Sequence, residues 1–214
     1  IYLDTVASLY GRNNLSHVLK EMAQNIHIPI TAGGGISSLE DIEMLLNSGA
    51  DKVAINTYAV KDPSLLSRAV DKYGSQCIVS SVPVKKIDNN WFLWTDNARE
   101  PTNIKLLDWI IKVQKLGVGE ILLTSIDNDG KMDGFDNELI DFIFPFINIP
   151  VIIGSGFNTV KSCANILKKH SIDAISIGSA LHYNECKIGQ VKQDLNLLNY
   201  RTYDNKLTYS NFKF

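Results

Sequence analysis

The stretch PITAGGGISSLEDIEMLLNSGADKVAINTYA, Pro29 to Ala59, returns more loosely as PVIIGSGFNTVKSCANILKKHSIDAISIGSAL, Pro150 to Leu181. Pro29 falls on Pro150, the Gly33-Gly34-Gly35 run on Gly154-Ser155-Gly156, Asp51 on Asp173, and Asn56-Thr57 on Gly178-Ser179. The second copy carries one extra residue near Ser171. Each copy reads as a buried strand, a glycine turn, a helix and a second buried strand ending in small polar residues. A strand–helix–strand unit of this kind requires parallel pairing and a right-handed crossover. Two copies in one chain predict a fold of two similar halves.

Outside the repeat the same alternation continues. Apolar runs at Ile1–Leu3, Ile78–Val82 and Ile121–Ser125 join the four of the repeat, at Ile28–Ala32, Lys52–Asn56, Val151–Ile153 and Ala174–Ile177. Between them, helices are predicted over 14–25, from a Ser37/Glu40 capping box to Asn47, from Asp62-Pro63 through Val70, and from Thr102 to Leu116. Further helices are predicted to begin at Asp136, to run over 159–169 and to run over 189–198. Asp88-Asn89-Asn90 reads as a turn between two short extended pieces. Strands that are apolar almost throughout are covered on both faces, as in parallel α/β sheets. The predicted class is therefore α/β, a (βα)8 TIM-type barrel made of two half-barrels. The repeat offset of 121 residues carries strand Ile121–Ser125 onto Ile1–Thr5, but carries Ile78–Val82 ahead of Ile1. One N-terminal βα unit is thus expected to be missing, leaving seven parallel strands and an open slot between Ile78–Val82 and Ile1–Thr5. Residues 1–214 are expected to form a single partial barrel domain, with 200–214 as a C-terminal tail.

Composition narrows the function classes. A length of 214 residues with 45% hydrophobic content suits one domain with a substantial core. The net charge of −2, without a long basic run, argues against a nucleic-acid surface. The longest apolar stretch, Phe142 to Ile153, is broken by Pro145 and Asn148 and is too short to span a bilayer. Cys77, Cys163 and Cys186 are dispersed without zinc or redox spacing, which fits a reducing, cytoplasmic setting. No metal or other cofactor is expected.

Function in such barrels gathers at the carboxyl ends of the strands. Gly33–Gly35 and Gly154–Gly156 fall there, just before helix starts, where backbone N–H groups and the helix dipole favour an anion. Asn56-Thr57 and Gly178-Ser179 end the neighbouring strands and complete two symmetric cradles, suited to a ligand with a phosphate at both ends. The same glycines also serve as tight strand–helix turns. Gly154-Ser155-Gly156-Phe157-Asn158-Thr159 lacks the third glycine of a dinucleotide fingerprint. Asp127-Asn128-Asp129-Gly130, with Glu138 at the twelfth position, superficially resembles a calcium loop, but Lys131 stands where an oxygen ligand belongs. Asp129 follows a strand end and is the candidate catalytic carboxylate. Among the four histidines His182 alone lies beside a cradle.

TAGGGISSLEDIEMLLNSGADKVAINT, GSQCIV, GVGEILLTSIDNDGKMDGFD and Gly178-Ser179-Ala180-Leu181-His182 closely resemble the cyclase subunit of imidazole glycerol phosphate synthase, over Ile1 to about Lys192. The resemblance implies a half-barrel-duplicated (βα)8 fold and a lyase-type cyclase. It implies a HisH-like glutaminase partner that supplies ammonia, and a small-molecule substrate phosphorylated at both ends. It places Gly35, Asn56 and Thr57 on one phosphate site, and Asp129, Gly130, Gly156, Gly178 and Ser179 on the other. It places Lys52 and Glu120 in an ammonia gate at the bottom of the barrel, with Asp51 facing the glutaminase. Of the family's two main catalytic carboxylates, one lies ahead of Ile1 and the other is matched by Pro83, which cannot transfer a proton. YLDTVASLYGRNN and TDNAREPTN are similar to a branch associated with surface-sugar amidation. The expected function is therefore an ammonia-using synthase subunit of that branch. The alternatives are the histidine-pathway cyclase subunit or a non-catalytic ammonia conduit.

Overall fold

A computed structural model of the chain describes residues 1–5, 15–200 and 202. Seven parallel strands run side by side in the order β1 (Tyr2–Leu3), β2 (Thr31–Gly33), β3 (Lys52–Ile55), β4 (Ile78–Ile87), β7 (Glu120–Ser125), β8 (Val151–Gly154) and β9 (Ala174–Ile175). Spatial order follows chain order without a reversal, which is the ordering of a TIM-type barrel and not of a doubly wound sheet. Among the described residues β1 and β9 do not pair, so the ring is open between them. This corrects the expected slot beside Ile78–Val82, because β4 is flanked by β3 on one side and β7 on the other. In a ring the neighbour of the first strand is the last, and counting along the chain alone misplaces the gap.

Helices α1 (Leu15–Asn25), α2 (Leu39–Asn47), α3 (Thr57–Lys61), α4 (Ser64–Tyr73), α5 (Leu106–Lys115), α6 (Asn137–Ile143), α7 (Val160–Lys169), α8 (Ser179–His182) and α9 (Ile188–Leu197) complete the alternation. The capping box of α2 sits one residue later than expected, on Ser38 and Asp41. The Asp41 carboxylate reaches the backbone N–H groups of both Ser37 and Ser38 and the Ser37 hydroxyl, which Glu40 does not. Thr159 and Ser162 form the same box at the start of α7, so both half-barrels open this helix with one device. Thr102 does not open a helix. It lies in β6 (Glu100–Lys105), its hydroxyl donating to Leu93 O at 2.6 Å, and α5 begins only at Leu106. Strand β6 pairs antiparallel with β5 (Asn90–Thr95), which pairs antiparallel with the upper half of β4 across the Asp88-Asn89 turn. Both turn residues are left-handed (φ 47° and 62°), the conformation that matches the strand twist in a two-residue hairpin.

The strands alternate with period two. One set of side chains, including Val53, Ile55, Val82, Ile121, Leu123 and Ile153, packs outward against Leu45, Leu66, Trp109, Ile110, Ile140 and Cys163 of the helices. The other set points into the barrel, where Ala54, Val79, Leu122 and Ile152 form a separate apolar layer. In α1, Leu19 is buried and Met22 packs against the core, while Val18, expected on the same face, is 37% exposed. The tail beyond Tyr200, apart from Thr202, lies outside the described residues.

Candidate active site

Following the inward register upward from the bottom places each expected residue. Lys52 opens β3 and Glu120 opens β7, and their side chains meet with Nζ 2.8 Å from Oε2 below the apolar layer. Glu120 is 14% exposed and Lys52 32%, so the pair is partly withdrawn from solvent. The Asp51 carboxylate accepts the Ile30 N–H at 2.7 Å, and its repeat mate Asp173 accepts the Val151 N–H at 2.9 Å. Both halves thus use this acid to tie the start of one strand to the next. Asp51 has a structural duty as well as its exposed place on the lower face.

Above the apolar layer the inward residues turn polar, with Asn56 after β3, Ser81 on β4, Thr124 on β7 and Ser176 after β9, Pro83 on β4 being the exception. Two clefts open there. The first, of about 320 Å³, brings together Gly34, Gly35, Asn56 and Thr57 from the first half-barrel with Ser81 and Pro83 of the adjoining β4, which opens the second. The second, of about 280 Å³, brings together Gly130, Gly154, Ser155, Gly156, Gly178 and Ser179 from the second. Leu3, Thr124 and Asp129 line both. Every expected phosphate-site residue therefore lies in the cleft of its own half, and Asp129 stands where the clefts meet. Pro83 is buried, in register with Thr124 and lines the first cleft with Asp129, so this strand-end position has no ionisable group.

Local bonding explains how these groups are held. The Ser155 hydroxyl donates to Asp129 Oδ1 at 3.3 Å, linking the loop after β7 to the turn after β8. Gly134 N donates to Gly156 O at 2.8 Å, and Asn128 Nδ2 to Gly134 O at 3.0 Å, so the same loop backs the second cradle. Gly156 has φ +82°, and a Cβ there would sit 2.1 Å from Gly134 O, so glycine is required. Asp127 accepts the Lys86 N–H at 2.8 Å and Glu138 pairs with Lys86, so these two acids brace the hairpin base and do not form a calcium cage. His182 packs edge-on against Tyr183 and lines neither cleft.

Thr124, Ser81 and Ser176 were not among the sequence candidates. They were within reach, since Thr124 is two steps of period two above Glu120 on the same strand face. Asn97 and Ala98 of the β5–β6 hairpin also line the first cleft. No periodicity in the sequence reveals that contact, because it depends on how the hairpin folds over the barrel mouth.

A family profile described as "Histidine biosynthesis protein" matches residues 1–187. The chain is 51% identical over 162 residues to the "Imidazole glycerol phosphate synthase subunit HisF" of Legionella pneumophila, covering 75% of this chain and 76% of that protein. Proteins of the same name from Flavobacterium johnsoniae and from Dehalococcoides mccartyi strain BAV1 are each 40% identical over 195 residues. Those alignments cover 91% of this chain and 78% and 77% of the relatives. With its half-barrel repeat, its paired clefts and these relatives, the chain belongs to the histidine biosynthesis protein family, among the HisF-like barrels.

Proposed function

We propose that this barrel is a synthase subunit of the kind its relatives are named for. It takes a small substrate carrying a phosphate at each end and joins to it ammonia supplied by a HisH-like glutaminase docked on the lower face. The observation that carries this reading is the pair of clefts, one per half-barrel, that share Asp129 and Thr124 at their junction. A ligand anchored at both ends has its middle held over Asp129, the carboxylate placed to move a proton there. The Lys52–Glu120 pair stands below the lumen, on the route ammonia takes from the lower face.

A second reading is favoured by Pro83. General acid–base ring closure gains roughly two to four orders of magnitude from a positioned proton carrier, and proline supplies none. The same ammonia delivery suits amidation of a phosphorylated surface-sugar precursor, or a subunit that conducts ammonia without itself closing a ring.

Melting the protein with sugars phosphorylated at one end or at both tests the shared part of these readings. A ligand present at 100 times its dissociation constant stabilises the fold by about 2.7 kcal/mol. The bisphosphate is expected to raise the melting temperature more than either monophosphate at equal concentration. Equal effects, or none, would leave the glycines as turns only. Measuring imidazole formation with free ammonia separates the two readings, since robust turnover supports the histidine-pathway cyclase and background turnover the amidation branch.

A further inference from the structure

The two half-barrel cradles differ in one respect. In the first, Asn56 Nδ2 donates to both Ser81 O and Trp94 O, each at 3.1 Å. Asn56 Oδ1 accepts the Thr57 hydroxyl at 3.3 Å, and Thr57 Oγ1 accepts the Asp96 N–H at 3.0 Å. A side-chain amide has two N–H donors and a hydroxyl one proton, so these two side chains have no donor left for an anion. Their partners, Trp94 and Asp96, belong to the β5–β6 hairpin. In the second cradle, among the described residues, no hairpin bonds to Gly178 or Ser179 in this way, and a Cβ on Gly178 would meet no atom within 4 Å.

We propose that the β5–β6 hairpin is the specificity element of the first cleft, with Asn97 the residue that reads the ligand and Asn56 and Thr57 the positioning residues that hold it there. The hairpin tip is three successive left-handed residues, Asp96, Asn97 and Ala98, with φ of 49°, 53° and 62°. Asparagine and aspartate adopt this conformation with local help, whereas alanine loses roughly 1–2 kcal/mol in it. A conformation of that cost persists where surrounding contacts impose it, and the bonds from Asn56 and Thr57 do so. The result is that Asn97 and Ala98 line the first cleft together with Gly34, Gly35 and Pro83. Among the described residues the charged side chains lining the two clefts are Asp4 and Asp129, both acids, and no lysine or arginine lines either. The donors that the described residues offer a phosphate in the first cleft are therefore neutral. The Asn97 amide adds two N–H donors, suited to a phosphate oxygen, and one acceptor, suited to a hydroxyl beside it.

This inference rests on the two-phosphate reading, and the second cradle supplies its internal control. Inorganic phosphate is titrated while the backbone amide resonances of Gly35 and Thr57 report the first cradle, and those of Gly156 and Ser179 the second. Asn97→Asp exchanges donors for a like charge. It is expected to weaken binding at the first cradle by about tenfold or more and to leave the second as in the wild type. Asn97→Gly, which relaxes the tip and keeps the fold, should weaken the first cradle less. Equal effects at both cradles, or none at either, would overturn the assignment of Asn97. Separately, Thr57→Val removes the acceptor of the Asp96 N–H and should speed hydrogen exchange of that amide without any ligand. Unchanged exchange would overturn the positioning role. If the wild type responds to phosphate at neither cradle, the two-phosphate reading fails and the ligand role of Asn97 fails with it. The exchange measurement then still decides what Asn56 and Thr57 hold. If phosphate binds and both variants behave as wild type, the two-phosphate reading stands and this inference alone falls.

Discussion

Pro83 sits at the inward position two residues above Ser81, buried and in register with Thr124 on β7. Its ring fixes φ near −65° and removes one backbone donor, but the strand continues through it, so the fold tolerates the residue and only the chemistry changes. Replacing it should be structurally mild. On the cyclase reading, Pro83→Asp returns a proton carrier to the first cleft and should raise imidazole formation at least tenfold over the wild type, in assays supplied with free ammonia. An unchanged rate would mean that the strand-end position is not what limits the reaction. The glycines separate into two kinds at the same scale. Gly156→Ala meets a carbonyl oxygen at 2.1 Å with φ +82° and is expected to destabilise by about 1–3 kcal/mol. Gly178→Ala meets nothing within 4 Å, so its stability should stay within about 0.5 kcal/mol of wild type while phosphate binding at the second cradle weakens. Thermal denaturation of the two variants, with and without phosphate, checks both. From sequence the two positions look alike, each a glycine at a strand end, and only the packing of Gly134 behind Gly156 tells a turn requirement from an open floor.

At the scale of elements, short apolar runs bounded by glycine, proline and capping signals located all seven parallel strands, although β1 is exposed and β9 is at most half-buried at the open edges. Such signals fail at the hairpin. Thr102 precedes an apolar helical face, which predicts a helix from Thr102 onward, whereas the pairing of β6 to β5 decides its state. Local propensity cannot register a partner strand several residues away, and the bonds that Trp94 and Asp96 make to Asn56 and Thr57 appear only once the hairpin lies beside β3. A second element contact was equally silent in sequence. Asp141 on α6 accepts from Lys169 at 2.6 Å and from His170 Nε2 at 2.7 Å at the end of α7, pinning the two helices together. The hydrogen bond from Lys169, and then that from His170, hold the Asp141 carboxyl below its ordinary value. A carboxyl depressed in the folded state stabilises at pH values above its unfolded pKa of about 3.9, and that contribution disappears as pH falls through the lower folded value. Asp141→Asn should therefore lower the melting temperature slightly at neutral pH, and by less as pH falls through the lowered folded value. The mutant's melting curve against pH should be flatter than the wild type's over the acid range. Parallel curves would mean that the pair contributes nothing, as many exposed ion pairs do.

At the scale of the whole molecule, the duplication that the glycine turns betray puts the two clefts at one end of the barrel and the Lys52–Glu120 pair at the other, with Ala54, Val79, Leu122 and Ile152 between them. An apolar layer resists ammonium far more than neutral ammonia, since a bare charge in a low-dielectric interior is costly. The ion pair beneath it is the polar group such a passage meets first. As a stabilising contact it is modest, because Lys52 is 32% exposed and Glu120 14%, and partly exposed pairs contribute at most about 1 kcal/mol. Lys52→Ala should therefore leave the melting temperature within a few degrees of wild type, but leave Glu120 without its cation at the mouth of the lumen. On the proposed reading the two ammonia sources then diverge. Product formation driven by glutamine through the partner subunit should fall several-fold, because ammonia released below must pass Lys52. Product formation from free ammonia added to solution should hold, because it reaches the clefts from above. Lys52→Met, which keeps the stem and removes the charge, should reproduce the split and so separate loss of charge from loss of packing. An equal fall with both sources would assign Lys52 to the fold, and no fall with either would place the ammonia route elsewhere. Asp51 supplies the contrasting case on the same face. Its carboxylate caps β2 as Asp173 caps β8, so Asp51→Asn should lower stability and the glutamine-driven rate together, whereas Lys52→Ala should lower the rate alone.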